Sequence, residues 1–292
     1  MDIDIGNTRL KWRLLGRDTV AGRGYWGHDL TGLSEVIAQS GLVTRVRVAN
    51  VAGIAMKEEL QRWAEACFGV TAEFATVQDG CAGVSCAYQQ PGALGVDRWL
   101  AVLAAWRQLG ETCVVVDAGT ALTVDVLAAD GMEAGLNEVD NIGGEAIGRK
   151  AISGDAIDRE AIDRKAQAQA AQPGANHLGG YIVPGLKMMS AALYARTDGI
   201  QPEPAVLADL EPGTDTGAAV QRGCVAMAVA LIERARAQTN SKTEAGLRVE
   251  GRVPVVLTGG DADSLVQFIA EPVISVSDLV LDGLAIALPE IN

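Results

Sequence analysis

Two short runs in this chain carry the residue types needed to hold and transfer phosphate. In the first, Asp4, Ile5, Gly6, Asn7, Thr8, Arg9, Leu10 and Lys11 put an aspartate at the end of an alternating strand, then a Gly-Asn turn, a hydroxyl and two cations. A carboxylate so placed suits magnesium, while turn amides and the Thr8 hydroxyl suit phosphate oxygens, with Lys11 in reach of the same anion. The second run, CVVVDAGTALTVDVL over 113–127, repeats the pattern: an apolar strand ends in Asp-x-Gly, then Thr120 and another alternating strand follow. A single hairpin of this kind reads as an ordinary turn with Arg9, Lys11 and Arg13 on a solvated basic face. Two copies about half a chain apart suggest a duplicated fold whose facing hairpins clamp a phosphate chain between domains.

A third run, GVDR, places Asp97 beside Arg98. A hydroxyl acceptor for phosphoryl transfer wants a nearby carboxylate, and an arginine pairs with an anionic substrate. Asp in the first turn of a helix, favoured there by the helix dipole, is the competing reading. His177 reads as a packing or turn-capping residue and His28 has no constellation around it. GRGYWG at 22–27 matches a dinucleotide fingerprint but opens no helical pattern, so it reads as a turn. GGEAIGRK at 143–150 resembles a phosphate loop, yet Arg149 and Ala151 stand where Lys and Ser/Thr belong.

The elements that must position these groups alternate. The first hairpin leads into helical spacing in LTGLSEVIAQSG, a strand in RVRVANV and a helix in MKEELQRWAEACFG. A long Ala-rich helix from Thr216 to about Gln238, a strand at 253–260 and a closing helix near 279–288 complete an α/β layer architecture. We expect an N-terminal domain over 1–110 and a C-terminal domain over 111–292. Residues 132–176, with near-repeats such as EAIGRKAI and DAIDREAI, read as an atypical insertion.

Composition narrows the partners. With 292 residues, 49% of them apolar, the chain can bury a large core. A net charge of −13 repels nucleic acid and anionic membrane, so a small-molecule partner is expected. The start MDIDIGNTRLKW lacks a basic region followed by an apolar stretch, and no window is apolar enough for a membrane span, so a cytosolic protein is expected. The five cysteines form no CxxC pair and read as mostly buried, reduced thiols.

In order along the chain, DIGNTRLKW, GVDRWLA, DAGTALTVD, HLGGYIVPG and LTGG resemble the type III pantothenate kinases, members of the acetate and sugar kinase/Hsp70/actin superfamily. The resemblance covers nearly the whole chain outside 132–176. It implies two RNase H-like domains, each with a mixed sheet, and an interdomain cleft. It further implies ATP-dependent phosphorylation of pantothenate to 4'-phosphopantothenate, the first step of coenzyme A biosynthesis, with Mg²⁺, a K⁺ or NH4⁺ ion and a homodimer. Asp4 through Lys11 then form the first ATP-phosphate loop and Thr120 binds ATP from the second. Asp117 matches the monovalent-cation position. Tyr88, Gly95, Val96, Asp97 and Arg98 match substrate-binding positions, with Asp97 as proton acceptor, and Thr216 matches a pantothenate-contacting threonine near the dimer interface.

Two other readings use the same fold. One is a regulatory protein resembling the Bvg accessory factors, which would be expected to lose Asp97 or Lys11; both are present. The other is an actin-fold kinase or phosphatase for a different small molecule, against which the GVDR and GGYIVPG segments argue.

Overall fold

The computed structural model describes residues 1–16, 19–27, 30, 33, 43–130, 174–197, 209–239 and 252–290. They fall into two units: Met1–Gln108 with Asp278–Asn292, and 109–130 with Ala175–Ser277. The sequence expectation had put 278–292 in the second half. They join the first because Arg47 Nη1 donates to the Leu288 carbonyl and Arg13 pairs with Asp282. The expected helix over LTGLSEVIAQSG lies almost wholly outside the described residues, as do His28 and the GGEAIGRK segment.

The strands are β1 (Asp2–Ile5), β2 (Leu10–Leu15), β3 (Val20–Trp26), β4 (Val46–Asn50), β5 (Ala72–Phe74), β6 (Gly80–Cys81), β7 (Val84–Ser85), β8 (Cys113–Ala118), β9 (Ala121–Ala129), β10 (Ala175–Pro184), β11 (Val255–Thr258) and β12 (Val273–Ser275). The helices are α1 (Ile54–Phe68), α2 (Val96–Leu109), α3 (Leu186–Arg196), α4 (Thr216–Thr239), α5 (Ala262–Val266) and α6 (Leu279–Ala287).

The first unit orders its strands β3-β2-β1-β4-β5, antiparallel through β3, β2 and β1 and parallel from β1 through β4 to β5. The second unit repeats this as β10-β9-β8-β11-β12, with the same antiparallel and parallel pairings. Two mixed α/β units with the order third-second-first-fourth-fifth are two RNase H-like units. The duplication suggested by the paired hairpins is therefore a duplication of whole topology.

Alternation decides what each sheet buries. Ile3, Ile5, Leu10, Trp12 and Leu14 project into a core completed by Val46, Val48, Leu60 and Trp63. In the second unit Val114, Val116, Leu122, Val124, Val255 and Leu257 meet Val225, Ala228, Ile232 and Ala235 of α4. GRGYWG, expected as a turn, is most of strand β3: Gly22 and Gly24 leave room for the Trp12 indole, which a Cβ at Gly24 would meet at 3.1 Å.

The other face of the first sheet is charged, and it is not solvated as its spacing suggested. Register aligns Arg23, Arg13, Asp2 and Arg47 in one row and Tyr25, Lys11 and Asp4 in the next. Asp2 is fully buried and takes Arg13 at 3.1 Å and Arg47 at 2.8 Å, while Arg13 also reaches Asp282 at 2.6 Å. Acidic side chains at the start of α6 therefore cover the basic face. The cost of desolvating these charges is offset only because each faces an opposite one.

Two smaller expectations also shift. Cys113 and Cys224 are buried, but Cys67 is exposed and Cys81 and Cys86 are half-buried. The region expected as insertion ends sooner than Asn176, because Ala175 and Asn176 already pair with Ala129 and Ala128 in the β9–β10 ladder.

Candidate active site

The first hairpin closes tightly. Gly6 N–H donates to the Arg9 carbonyl at 3.1 Å, leaving Asn7, Thr8 and Arg9 exposed at the tip while Ile5 and Leu10 are buried beneath it. Asp4 and Lys11 are direct cross-strand partners, so carboxylate and ammonium emerge side by side under the turn. Tyr25 is next in that row: the Arg9 guanidinium lies 4.4 Å from its ring centroid and Lys11 Nζ 5.5 Å. Lys11 Nζ is also 2.8 Å from Asp278 Oδ1, a contact sequence spacing could not reveal. Burial opposes ionisation of Asp278, but the hydrogen bond from Lys11 and the charges of Lys11, Arg13 and Arg23 outweigh it and hold the carboxyl below its ordinary range.

The GVDR run begins α2, with Asp97 in the first turn, where the helix dipole favours a carboxylate. Asp97 Oδ1 accepts the Arg98 N–H at 2.8 Å. A Cβ on Gly95 would lie 2.6 Å from the same oxygen, so glycine at this position makes room for the carboxylate. The helix dipole and the candidate catalytic role are thus compatible at Asp97. Arg98 is only 5% exposed, and its Nη1 donates to the Tyr88 hydroxyl at 3.1 Å. Tyr88, Gly95, Val96, Asp97 and Arg98 are all in the first unit, as are Asp4 through Lys11.

Asp117 and Thr120 lie at the β8–β9 turn of the second unit. Gly119 N–H donates to the Ala121 carbonyl at 3.1 Å, closing the turn, and Thr120 is exposed. Two glycines pack around it. Gly185 N–H donates to the Thr120 carbonyl at 3.0 Å, and a side chain at Gly185 would collide with the Gly119 and Thr120 backbone. Gly259, the first glycine of LTGG, has φ +100° and abuts Ala118 and the Asp117 carboxylate. Asp261 N–H then donates to the Ala118 carbonyl at 2.9 Å. Among the described residues no group of three His, Cys, Asp or Glu side chains could hold a metal ion.

Thr216 is not grouped with that turn. It starts α4 and lines a groove of about 600 Å³ with Leu193, Gly213, Cys224 and Met227, among others. The apolar content of α4 is largely explained by the core of its own unit, but Met227 is 66% exposed and Leu193 39%. His177 is buried, and its Nε2 lies 2.8 Å from Asp125 Oδ1 beside a bulge between His177 and Gly179. That is the packing role expected of it.

The type III pantothenate kinase family model matches residues 1–136 and 168–238. The chain belongs to the type III pantothenate kinase family. Two type III pantothenate kinases show the extent of the likeness. That of Ectopseudomonas mendocina is 33% identical over 99% of this chain and 98% of its own. That of Nitrosococcus oceani is 30% identical over 97% of this chain and 91% of its own. The crystal structure of a conserved protein assigned to the Baf family, from Campylobacter jejuni, superposes with a TM-score of 0.56 at 17% identity, covering 98% of this chain and 96% of that one. At that identity it speaks for the fold alone.

Membership of the type III pantothenate kinase family implies ATP-dependent phosphotransfer. Sequence reasoning missed Asp278 altogether, since nothing in SVSDLVLDG marks it as facing Lys11. It noted LTGG only as a motif. The signal available there was the glycine pair directly after an apolar strand, a place where backbone approaches backbone.

Proposed function

We propose that this protein transfers the γ-phosphoryl group of ATP to the primary hydroxyl of pantothenate, giving 4'-phosphopantothenate and ADP in the first step of coenzyme A biosynthesis. The observation that carries the reading is the family match across both phosphate hairpins and the GVDR run, with relatives aligned over nearly the full chain. Asp97 accepts the hydroxyl proton as that oxygen attacks the γ-phosphorus, and the bond to the ADP oxygen breaks. Arg98, oriented by Tyr88, faces the substrate carboxylate, with Gly95 and Val96 shaping the turn and Thr216 a further pantothenate contact.

Asp4, Ile5, Gly6, Asn7, Thr8, Arg9, Leu10 and Lys11 form the first phosphate loop and Thr120 contributes from the second. Mg²⁺ would accompany the nucleotide and Asp117 would hold a K⁺ or NH4⁺ ion, and such cations would supply positive charge to the nucleotide phosphates. The protein acts as a cytoplasmic homodimer of two actin-like halves joined near residue 110. The exposed Met227 and Leu193 beside Thr216 are the apolar surface a second copy would cover.

The test is ATP consumption with pantothenate, with and without potassium or ammonium, and mass detection of phosphopantothenate. Pantothenate-dependent product is expected, with a higher rate when the monovalent cation is present. Absence of product under all conditions would remove the kinase reading. Light scattering is expected to show twice the chain mass at micromolar concentration.

A further inference from the structure

Asp278 is the residue before α6, the position where an aspartate side chain ordinarily caps the helix. Here it does not: the α6 N-terminus has no side-chain cap bond, and only the Asp278 carbonyl is used, accepting from Asp282 N–H at 2.9 Å. The carboxylate turns instead to the charged face of the sheet. It lies 2.8 Å from Lys11 Nζ, 3.6 Å from Arg23 and 3.9 Å from Arg13. Its side chain is 11% exposed and that of Lys11 18%, so the pair is mostly withdrawn from water at the base of the first phosphate loop. Arg13 has its shorter contacts elsewhere, with Asp282 at 2.6 Å and Asp2 at 3.1 Å, which leaves Lys11 as the closest partner of Asp278.

We propose that Asp278 is a positioning residue for nucleotide binding, holding Lys11 so that its ammonium group faces the ATP phosphates. The inference rests on the phosphate-binding role proposed for Lys11. A lysine ammonium carries three donors on a flexible four-carbon stem, and immobilising that stem opposes binding. The contact to Asp278 orders the stem before nucleotide arrives. The cation–π contact with Tyr25, 5.5 Å from Lys11 Nζ to the ring centroid, limits the stem further. Lys11, Arg23 and Arg13 all lie near the Asp278 carboxylate and offset its charge.

The experiment measures the Kd of MgATP by calorimetry, together with KM for each substrate and kcat, for full-length Asp278→Asn, Asp282→Asn, Lys11→Ala and the Lys11→Ala/Asp278→Asn double variant. Asp278→Asn is expected to raise Kd and KM for ATP roughly 3- to 30-fold, the range set by the rotamer freedom of a lysine stem, with pantothenate KM and kcat little changed. The double variant should bind ATP no more weakly than Lys11→Ala alone, because Asp278 acts through Lys11. Asp282→Asn, which disturbs the same ion cluster without touching Lys11, should lower Tm but leave ATP affinity unchanged. Unaltered or tighter ATP binding in Asp278→Asn, alongside weakened binding in Lys11→Ala, overturns the role of Asp278. Unaltered ATP binding in Lys11→Ala itself overturns the phosphate role of Lys11 and this inference with it. Should Asp278→Asn fail to fold, Asp278→Glu retains the charge and displaces the carboxylate by one methylene. A raised ATP Kd there supports the proposal, and a wild-type value overturns it.

Discussion

Arg98 Nη1 and the Tyr88 hydroxyl are 3.1 Å apart, joining the first turn of α2 to the segment that follows the β6–β7 hairpin. The guanidinium is almost wholly buried, so its direction is set by such partners rather than by water. Tyr88→Phe deletes the hydroxyl and keeps the ring, at a stability cost of about 1 kcal/mol. Pantothenate KM is expected to rise by about 3- to 10-fold, the same order of energy, with ATP KM unaltered. Initial-rate kinetics with each substrate varied in turn check the split, and an effect confined to ATP would detach Tyr88 and Arg98 from the pantothenate side.

Asp97→Asn preserves the acceptor that binds Arg98 N–H and removes only the ability to take a proton. We expect kcat to fall by about 10²- to 10⁴-fold, the usual contribution of general acid–base catalysis. Tm should move little, because the contact to the helix N-terminus survives. Near-normal turnover in folded protein would exclude Asp97 as the base.

Gly259→Ala places a methyl group on a residue at φ +100° and against the Ala118 backbone and the Asp117 carboxylate. Left-handed strain and the steric clash together should cost about 2 to 4 kcal/mol, read from urea unfolding. Because the methyl group pushes on the β8–β9 turn itself, ATP binding should weaken in whatever fraction remains folded.

Acid titration separates Asp278 from its neighbours. Burial opposes its ionisation, but Lys11, Arg13 and Arg23 prevail, so the folded value lies below the ordinary 3.8. A depressed acid pKa contributes stability that is complete above 3.8 and is lost as pH falls through the lower folded value. The destabilisation caused by Asp278→Asn, about 3 kcal/mol for breaking a mostly buried pair, should be complete at neutral pH and should shrink below the ordinary value. Thermal melts of both proteins across the acid range check this; a gap independent of pH would mean that the lost contribution is not ionic.

Residues 137–167 fall between the two stretches that match the family. Ala129 pairs with Ala175, so β9 and β10 are in register as far as those two residues. Replacing 137–167 with a short Gly-Ser connection should preserve fold and pantothenate-dependent turnover, since loop-closure entropy varies only with the logarithm of length. Loss of turnover with an unchanged circular dichroism spectrum would show that the segment takes part in the site.

The repeated strand–turn–strand around Asp4 and Asp117 and the apolar faces of both sheets were legible in the residues alone, and GVDR offered a helix start as one of two readings. Each depends on local chemistry: alternation selects the buried face, turn residues place the reversal, and an aspartate favours a helix N-terminus. The tertiary structure decided what alternation leaves open, namely what covers the second face. Arg13 and Lys11 look solvated in LKWRLL, and only the packing of α6 on β1 and β4 shows that Asp278 and Asp282 meet them from 267 and 269 positions along the chain. The glycines of GRGYWG look like turn residues until Trp12 on the neighbouring strand requires their bare backbone. Gly259 likewise reads as a loop residue until Ala118 is beside it. A contact between distant segments has no period and no local signature, because its energy comes from burial and charge pairing that exist only once both segments are in place.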